Sequence, residues 1–171
     1  MTDTSVSQRD QGLASRLAGC SLFAYFTADE LGRVVSMVHT RRFGKGDFIF
    51  GEGDVGKELY IVEEGNVAIS KAIKDNLEQV LAHMGPGDYF GEMAVIENIP
   101  RTASASAETD CSLLSIAEAD IMRLMEDEPR AAAKIMFNLM KTMSARLQAT
   151  NEQLREAVRW GLEATGYQPE E

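Results

Sequence analysis

Between Gly85 and Ala107 the sequence reads GPGDYFGEMAVIENIPRTASASA. One arginine, Arg101, stands among apolar residues, and a guanidinium buried without an anion is costly. Its neighbours have the types an anion site needs. Gly91 lets the backbone approach closely, and Glu92–Ile96 is long enough for one helical turn whose first N–H groups could face a phosphate. Arg101 can pair with two phosphate oxygens, a geometry lysine does not offer. Thr102 adds a hydroxyl, while Ala103 and Ala105 leave room. Glu92 would repel a phosphate unless it turned to a sugar hydroxyl, so the set implies a ribose phosphate. Taken singly, a lone arginine is an ordinary surface ion pair and a Gly-Glu pair an ordinary turn; the joint spacing carries the reading.

Three kinds of element must position these residues. From Leu13 to Val38, apolar residues recur at three- and four-residue steps, which predicts one or two helices broken near Gly19–Ser21, with Thr27 as an N-cap. After His39 the period becomes two: Phe43, Phe48, Phe50, Leu59, Ile61, Val67, Ile69, Val80, Ala82 and Met84 alternate with polar neighbours, punctuated by closely spaced glycines. Short strands with glycine turns predict an all-β barrel or double-sheet roll. Glu63-Glu64-Gly65-Asn66 is expected to be a tight hairpin turn with positive φ at Gly65 and Asn66, a looser turn falls near Asp75–Asn76, and the last strands are expected at 101–107 and 111–116.

The helical period returns at Ala117 and is interrupted before Pro129. A long helix is predicted over about 130–163, in which Ala133, Met136, Met140, Met143, Leu147, Thr150, Leu154 and Ala157 form a heptad seam. Such a helix could simply lie on the roll as a core helix; the stronger reading of the seam adds a homodimer through residues 136–157. The expected organisation is a disordered lead-in at 1–12, the roll with its flanking helices at 13–127, a lid and dimerisation helix at 128–163, and a tail at 164–171.

Composition narrows the function classes. The 171 residues carry a net charge of −10, and residues 43–127 hold 6 basic against 17 acidic side chains. Such a surface repels DNA phosphates, so no DNA partner is expected. No eighteen-residue apolar run occurs, so no membrane span is expected either. Cys20 and Cys111, far apart, are expected as reduced packed thiols in a cytoplasmic protein. Two histidines and two cysteines make no metal set, which argues against a metal-dependent enzyme of the double-sheet class.

FGEMA followed by PRTASASA resembles the phosphate-binding cassette of cyclic nucleotide-binding domains, and GEGDVGKELYIVEEG at 51–65 resembles that family's hairpin region. The resemblance spans roughly residues 20–145. It implies a mainly β fold with flanking helices (α+β): an eight-stranded jelly-roll-like β roll, N-terminal helices and a long C-terminal helix that caps the ligand. It further implies that Glu92 binds the ribose 2′-hydroxyl and Arg101 the cyclic phosphate, with Gly91, Met93, Ala94, Thr102 and Ala103 lining the cassette. Members specific for cGMP often carry a hydroxyl residue after the arginine, as Thr102 does, yet some cAMP-binding members carry threonine too; cAMP is expected ahead of cGMP. Trp160, Phe137 or a methionine would cover the base, since an aromatic ring stacks well on a purine, and the sequence does not choose among them. The implied function is a non-catalytic receptor, without further cofactor, whose last helix responds to ligand and regulates an unidentified protein effector or the dimer. The alternative is an interaction module that keeps the fold without a nucleotide. Related bacterial regulators append a helix-turn-helix; here the long helix leads to an acidic Pro-Glu-Glu, and direct DNA binding is not expected.

Overall fold

The computed structural model describes residues 8–74 and 77–165, and the chain divides into two compact units between Ile135 and Met136. In the first unit, α1 (Gln8–Ala18) leads through a 3-10 turn at Ser21–Phe23 to α2 (Ala28–Val35). The strands are β1 (Val38–Phe43), β2 (Phe48–Phe50), β3 (Glu58–Glu64), β4 (Val67–Lys74), β5 (Leu77–Met84) and β6 (Tyr89–Phe90). Then come α3 (Glu92–Glu97), β7 (Ser104–Ala107), β8 (Cys111–Ala117), α4 (Glu118–Asp127) and α5 (Pro129–Ala164), whose first residues belong to this unit.

The eight strands form two antiparallel four-stranded sheets, ordered β1-β8-β3-β6 and β2-β7-β4-β5. This is the expected roll. Between the sheets lie Tyr60, Val62, Val67, Met84, Phe90, Ala105, Ala107, Cys111 and Leu113. In the central strand β3, Leu59 and Ile61 are buried as well, so the expected alternation with polar neighbours fails there. Its cause is a sheet covered on both sides: Ile61 and Leu114 share a cleft with Gly19 and Cys20, and Arg16 of α1 pairs with Glu63 at 2.5 Å. A strand buried on both faces reads as a continuous apolar run.

The predicted helix break near Gly19–Ser21 is present, and Thr27 caps α2 through a full capping box. Its Oγ1 accepts from the Glu30 N–H at 3.3 Å, and its own N–H donates to Glu30 Oε2 at 2.7 Å. Helix α1 starts at Gln8, earlier than the Leu13 at which apolar periodicity begins, because its first turn is polar and carries no periodic signal. Residues 8–12 are therefore helical rather than a disordered lead-in. Helix α4 stops one residue short of Glu128, which precedes Pro129 and leaves helical geometry.

Two expectations about strands are corrected. The Glu63–Asn66 turn does not close a hairpin: β3 and β4 belong to different sheets, and the turn carries the chain across the roll. Gly65 has the expected positive φ of 86°, and Asn66 does not. A side chain at Gly65 would meet the Asp110 carbonyl at 2.4 Å, which fixes glycine there twice over. Strand β7 begins at Ser104, not at Arg101, because Arg101 is bonded to a turn rather than to a neighbouring strand. The β4–β5 turn at Asp75–Asn76 lies outside the described residues, though β4 and β5 pair as a hairpin up to Lys74↔Leu77.

One device recurs three times among the described residues. Gly44-Lys-Gly-Asp47, Gly51-Glu-Gly-Asp54 and Gly85-Pro-Gly-Asp88 are turns of one kind. In each, the aspartate carboxylate accepts from the first glycine N–H (2.7, 2.7 and 2.9 Å) and the aspartate N–H donates to that glycine's carbonyl. The second glycine sits at φ of 88–90°, the left-handed position a type II turn requires. Each turn then grips one residue from elsewhere in the chain through reciprocal backbone bonds: Ala107, Arg101 and Val62 respectively, all at 2.7–2.9 Å.

The second unit consists, among its described residues, of α5 from Met136 onward. Exposed along it are Met140, Met143, Leu147, Leu154, Val158 and Trp160. Ion pairs Glu152–Arg155 and Arg159–Glu163 brace its surface at 3.3 and 3.9 Å. No helix among the described residues is long and apolar enough to cross a membrane.

Candidate functional site

The site starts at a glycine. Gly91 caps α3 at φ 81°, a conformation that costs other residues about 1 kcal/mol or more. Its missing side chain also matters, since a Cβ there would lie 2.7 Å from Arg101 Nη1. From this cap α3 runs Glu92–Glu97, slightly longer than the one turn expected, and ends at Asn98 with φ 52°. Glu92, Ala94 and Val95 turn inward, while Met93 and Ile96 face out. The chain then runs through Pro100 to Arg101.

Arg101 is mounted on the second Gly-x-Gly-Asp turn. Its N–H donates to the Asp54 carbonyl and its carbonyl accepts from the Gly53 N–H, both at 2.8 Å. The side chain is 4% exposed. Nη1 donates to the Gly91 carbonyl at 2.9 Å and Nη2 to the Glu58 carbonyl at 2.8 Å. The guanidinium carbon lies 4.1 Å from the centre of the Phe50 ring, a cation–π contact. Nε, also buried, has no hydrogen-bond partner. Burial pushes the guanidinium pKa down, opposed by the charges of Tyr60, Glu58, Asp54 and Glu92. Leaving a buried charged donor unpaired costs about 1–3 kcal/mol or more, so Nε calls for an acceptor.

A polar network lies beneath. The Glu58 carboxylate accepts from Tyr60 at 2.9 Å, Arg41 at 3.1 Å and Ser115 at 3.2 Å. Burial alone would raise its pKa, but these bonds, Arg41's first, outweigh it and hold the carboxyl below the usual range. Burial and the neighbouring Glu58 push the Tyr60 phenol up to about 12. The Tyr60 ring stacks on Phe90 at 5.5 Å, and Phe50 leans on both. Strands β2, β3 and β6 thus supply an aromatic floor under the arginine.

The structure brings Gly91, Glu92, Met93, Ala94, Arg101, Thr102 and Ala103 into one neighbourhood. Thr102 Oγ1 donates to Met93 Sδ at 3.7 Å, and Ala103 is half-buried. Ala105 lies wholly inside the roll core. Phe137 and Trp160 belong to the second unit and are 50% and 76% exposed. Sequence reasoning passed over Phe50, Gly56 and Glu58. Phe50 read only as a strand residue, and a backbone carbonyl such as that of Glu58 leaves no mark in sequence. Gly56 lies within the 51–65 motif, but its closeness to the Arg101 guanidinium joins residues 45 positions apart. His83 pairs with Glu108 at 3.0 Å, and Cys20 and Cys111 are buried free thiols, Cys20 pushed up to about 11 by burial. Among the described residues no three His, Cys, Asp or Glu side chains cluster to hold a metal.

The family model described as "Cyclic nucleotide-binding domain" matches residues 40–128, which contain the whole of this neighbourhood. The chain belongs to the cyclic nucleotide-binding domain family. It is 29% identical over 142 residues to a CRP-like cAMP-activated global transcriptional regulator of Mycobacterium tuberculosis, covering 83% of this chain and 62% of that protein. It is 32% identical over 138 residues to the cyclic AMP receptor protein of Thermus thermophilus, covering 81% and 62%. The chain therefore spans less than two thirds of these relatives. The co-crystal structure of the regulatory domain of Toxoplasma gondii PKA with cAMP superposes with a TM-score of 0.70 at 28% identity, over 80% of this chain and 50% of that one.

Proposed function

We propose that this chain is a non-catalytic receptor for a cyclic nucleotide, cAMP ahead of cGMP. The observation that carries the reading is Arg101: a buried guanidinium, anchored by two carbonyls, with Nε left without an acceptor beside the start of α3. A cyclic phosphate supplies that acceptor. Arg101 binds it in a charge-assisted bond, Glu92 accepts from the ribose 2′-hydroxyl, and Gly91, Met93, Ala94, Thr102 and Ala103 line the cassette. Relatives named for cAMP support a cyclic nucleotide ligand, with cAMP as the first one to test.

In this reading residues 13–127 are the nucleotide-binding roll and 128–163 the responding helix. Its exposed apolar residues favour a homodimer through 136–157, and a base lid would come from Phe137 or Trp160. Ligand shifts the helix only as far as it contacts its two positions differently. The output is a protein effector in the cytoplasm rather than DNA, given the acidic charge of the roll. Titration calorimetry with cAMP and cGMP on the whole chain tests the reading.

A further inference from the structure

Strand β1 (Val38–Phe43) lies at the end of its sheet and pairs only with β8. In an antiparallel ladder every second residue turns its N–H and C=O away from the neighbour. Among the described residues, His39 to Phe43 make no backbone hydrogen bond beyond the β1–β8 ladder. Half of this strand's backbone is therefore an open edge, a template for a further strand. Its side chains are open as well: His39, Thr40, Arg41 and Arg42 are all exposed.

The charge on this edge runs against that of the chain. From Leu31 to Gly46 the sequence carries Arg33, Arg41, Arg42 and Lys45 and no acidic residue, in a chain of net charge −10. Side chains alternate along a strand. Phe43 packs against the core between the sheets, so Arg41 shares that inner face and Arg42 lies on the outer one. Arg41 pairs with Glu58 at 3.1 Å, yet its side chain stays 50% exposed. Arg42 and His39 have no side-chain hydrogen bond or ion pair among the described residues. Arg42 opens onto a cleft whose acids are largely engaged: Glu63 accepts from Ser112 and pairs with Arg16, and Asp110 accepts from the Lys45 N–H. Glu64 is the remaining carboxylate of that cleft.

We propose that the open edge of β1 docks an extended acidic segment of a partner protein, which adds to the sheet as the strand beyond β1. Neighbouring residues of an added strand point to opposite faces, so two consecutive carboxylates reach Arg41 on one face and Arg42 on the other. Backbone bonds supply the docking, and the two charge pairs select the sequence. A second copy of the chain is a poor occupant, because pairing two β1 strands sets arginines against arginines. Nucleic acid is disfavoured by the acidic roll around the edge. The site is separate from the nucleotide reading and stands whether or not the chain binds a nucleotide.

The test is an amide-resonance titration of the full isotope-labelled chain, at low salt, with the peptide acetyl-Thr-Val-Glu-Glu-Val-Thr-amide. Shifts and slowed hydrogen exchange are expected at alternate amides of β1. The Lys-Lys counterpart should not bind. Of two versions N-methylated at alternate amides, one should bind and the other should not, because only one set of amides faces β1. Arg42→Glu, an exposed substitution, should weaken the acidic peptide about fivefold or more, and added salt should weaken it too. No shift in β1 at millimolar peptide overturns the proposal. Equal binding by the Lys-Lys version overturns it, as does binding indifferent to both N-methylation patterns or to Arg42→Glu. An oligothymidylate that shifts the same amides at lower concentration than the peptide also overturns it, since the edge would then read phosphates rather than a strand.

Discussion

Arg101 and Asp54 grip each other through the backbone: the Arg101 N–H donates to the Asp54 carbonyl at 2.8 Å, and the preceding Gly53 N–H donates back to the Arg101 carbonyl at 2.8 Å. The arginine of the cassette is thereby mounted on a turn 47 residues earlier in sequence. Two sister turns make the same grip on Val62 and Ala107, which belong to the core between the sheets. One structural device thus serves the core twice and the site once.

That division predicts a separation of effects. Asp47→Ala, Asp54→Ala and Asp88→Ala should each cost about 1–2 kcal/mol of stability, because each removes a carboxylate that satisfies a turn N–H. Only Asp54→Ala should also weaken cAMP binding, by about three- to tenfold, since only its turn carries Arg101. Urea melts and calorimetry on the three variants check this; equal affinities for all three would oppose it.

Glu92 is buried at the first position of α3. If its carboxylate receives the ribose 2′-hydroxyl, Glu92→Gln should weaken cAMP binding about tenfold, the scale of a hydrogen bond to a charged group. 2′-Deoxy-cAMP should be discriminated against by wild type and much less by the variant. Unchanged discrimination in a competition assay would remove Glu92 from the sugar.

The Tyr60–Glu58 bond makes an alkaline prediction. The phenol sits near 10 in an unfolded chain and about 12 in the fold, so its contribution is fully present below pH 10 and is lost as pH rises towards 12. Tyr60→Phe should lower stability at pH 7 yet flatten the decline between pH 10 and 12. Glu58 works at the other end: its lowered pKa stabilises the fold above about 4.5, and that contribution fades as pH falls below it. Urea melts across pH, with Glu58→Gln as the acidic counterpart, read both slopes.

Leu147 and Leu154 project from α5 at 61% and 62% exposure, one heptad apart. In a dimer through 136–157 they would face the partner helix. Leu147→Asp and Leu154→Asp should each halve the mass seen by sedimentation equilibrium and leave the circular dichroism of the roll unchanged. A wild type already monomeric at tens of micromolar would contradict the dimer.

Much of this was legible in the sequence for physical reasons. The N-cap at Thr27, the stop before Pro129 and the turn of α3 after Gly91 are local, each written in residues within four positions of one another. The roll was legible as a class because short strands and glycine turns leave a repeating pattern. What was hidden was non-local. Sequence spacing could not tell that the chain crosses between sheets at Gly65, because a tight turn looks the same whether it joins paired or unpaired strands. The start of β7 is non-local too, because Arg101 commits its backbone bonds to the Gly53–Asp54 turn. The cassette residues could be named from their types, but Phe50, Gly56 and the Glu58 carbonyl meet Arg101 only after folding.

The most direct test of the central claim is titration calorimetry with cAMP on nucleotide-free wild type and on Arg101→Lys, with folding of both verified by circular dichroism. Wild type should bind with one site per chain, cGMP more weakly, and the lysine variant at least about tenfold more weakly than wild type. No heat from wild type with either nucleotide, or equal affinity in the lysine variant, would contradict the assignment of Arg101 as the phosphate anchor.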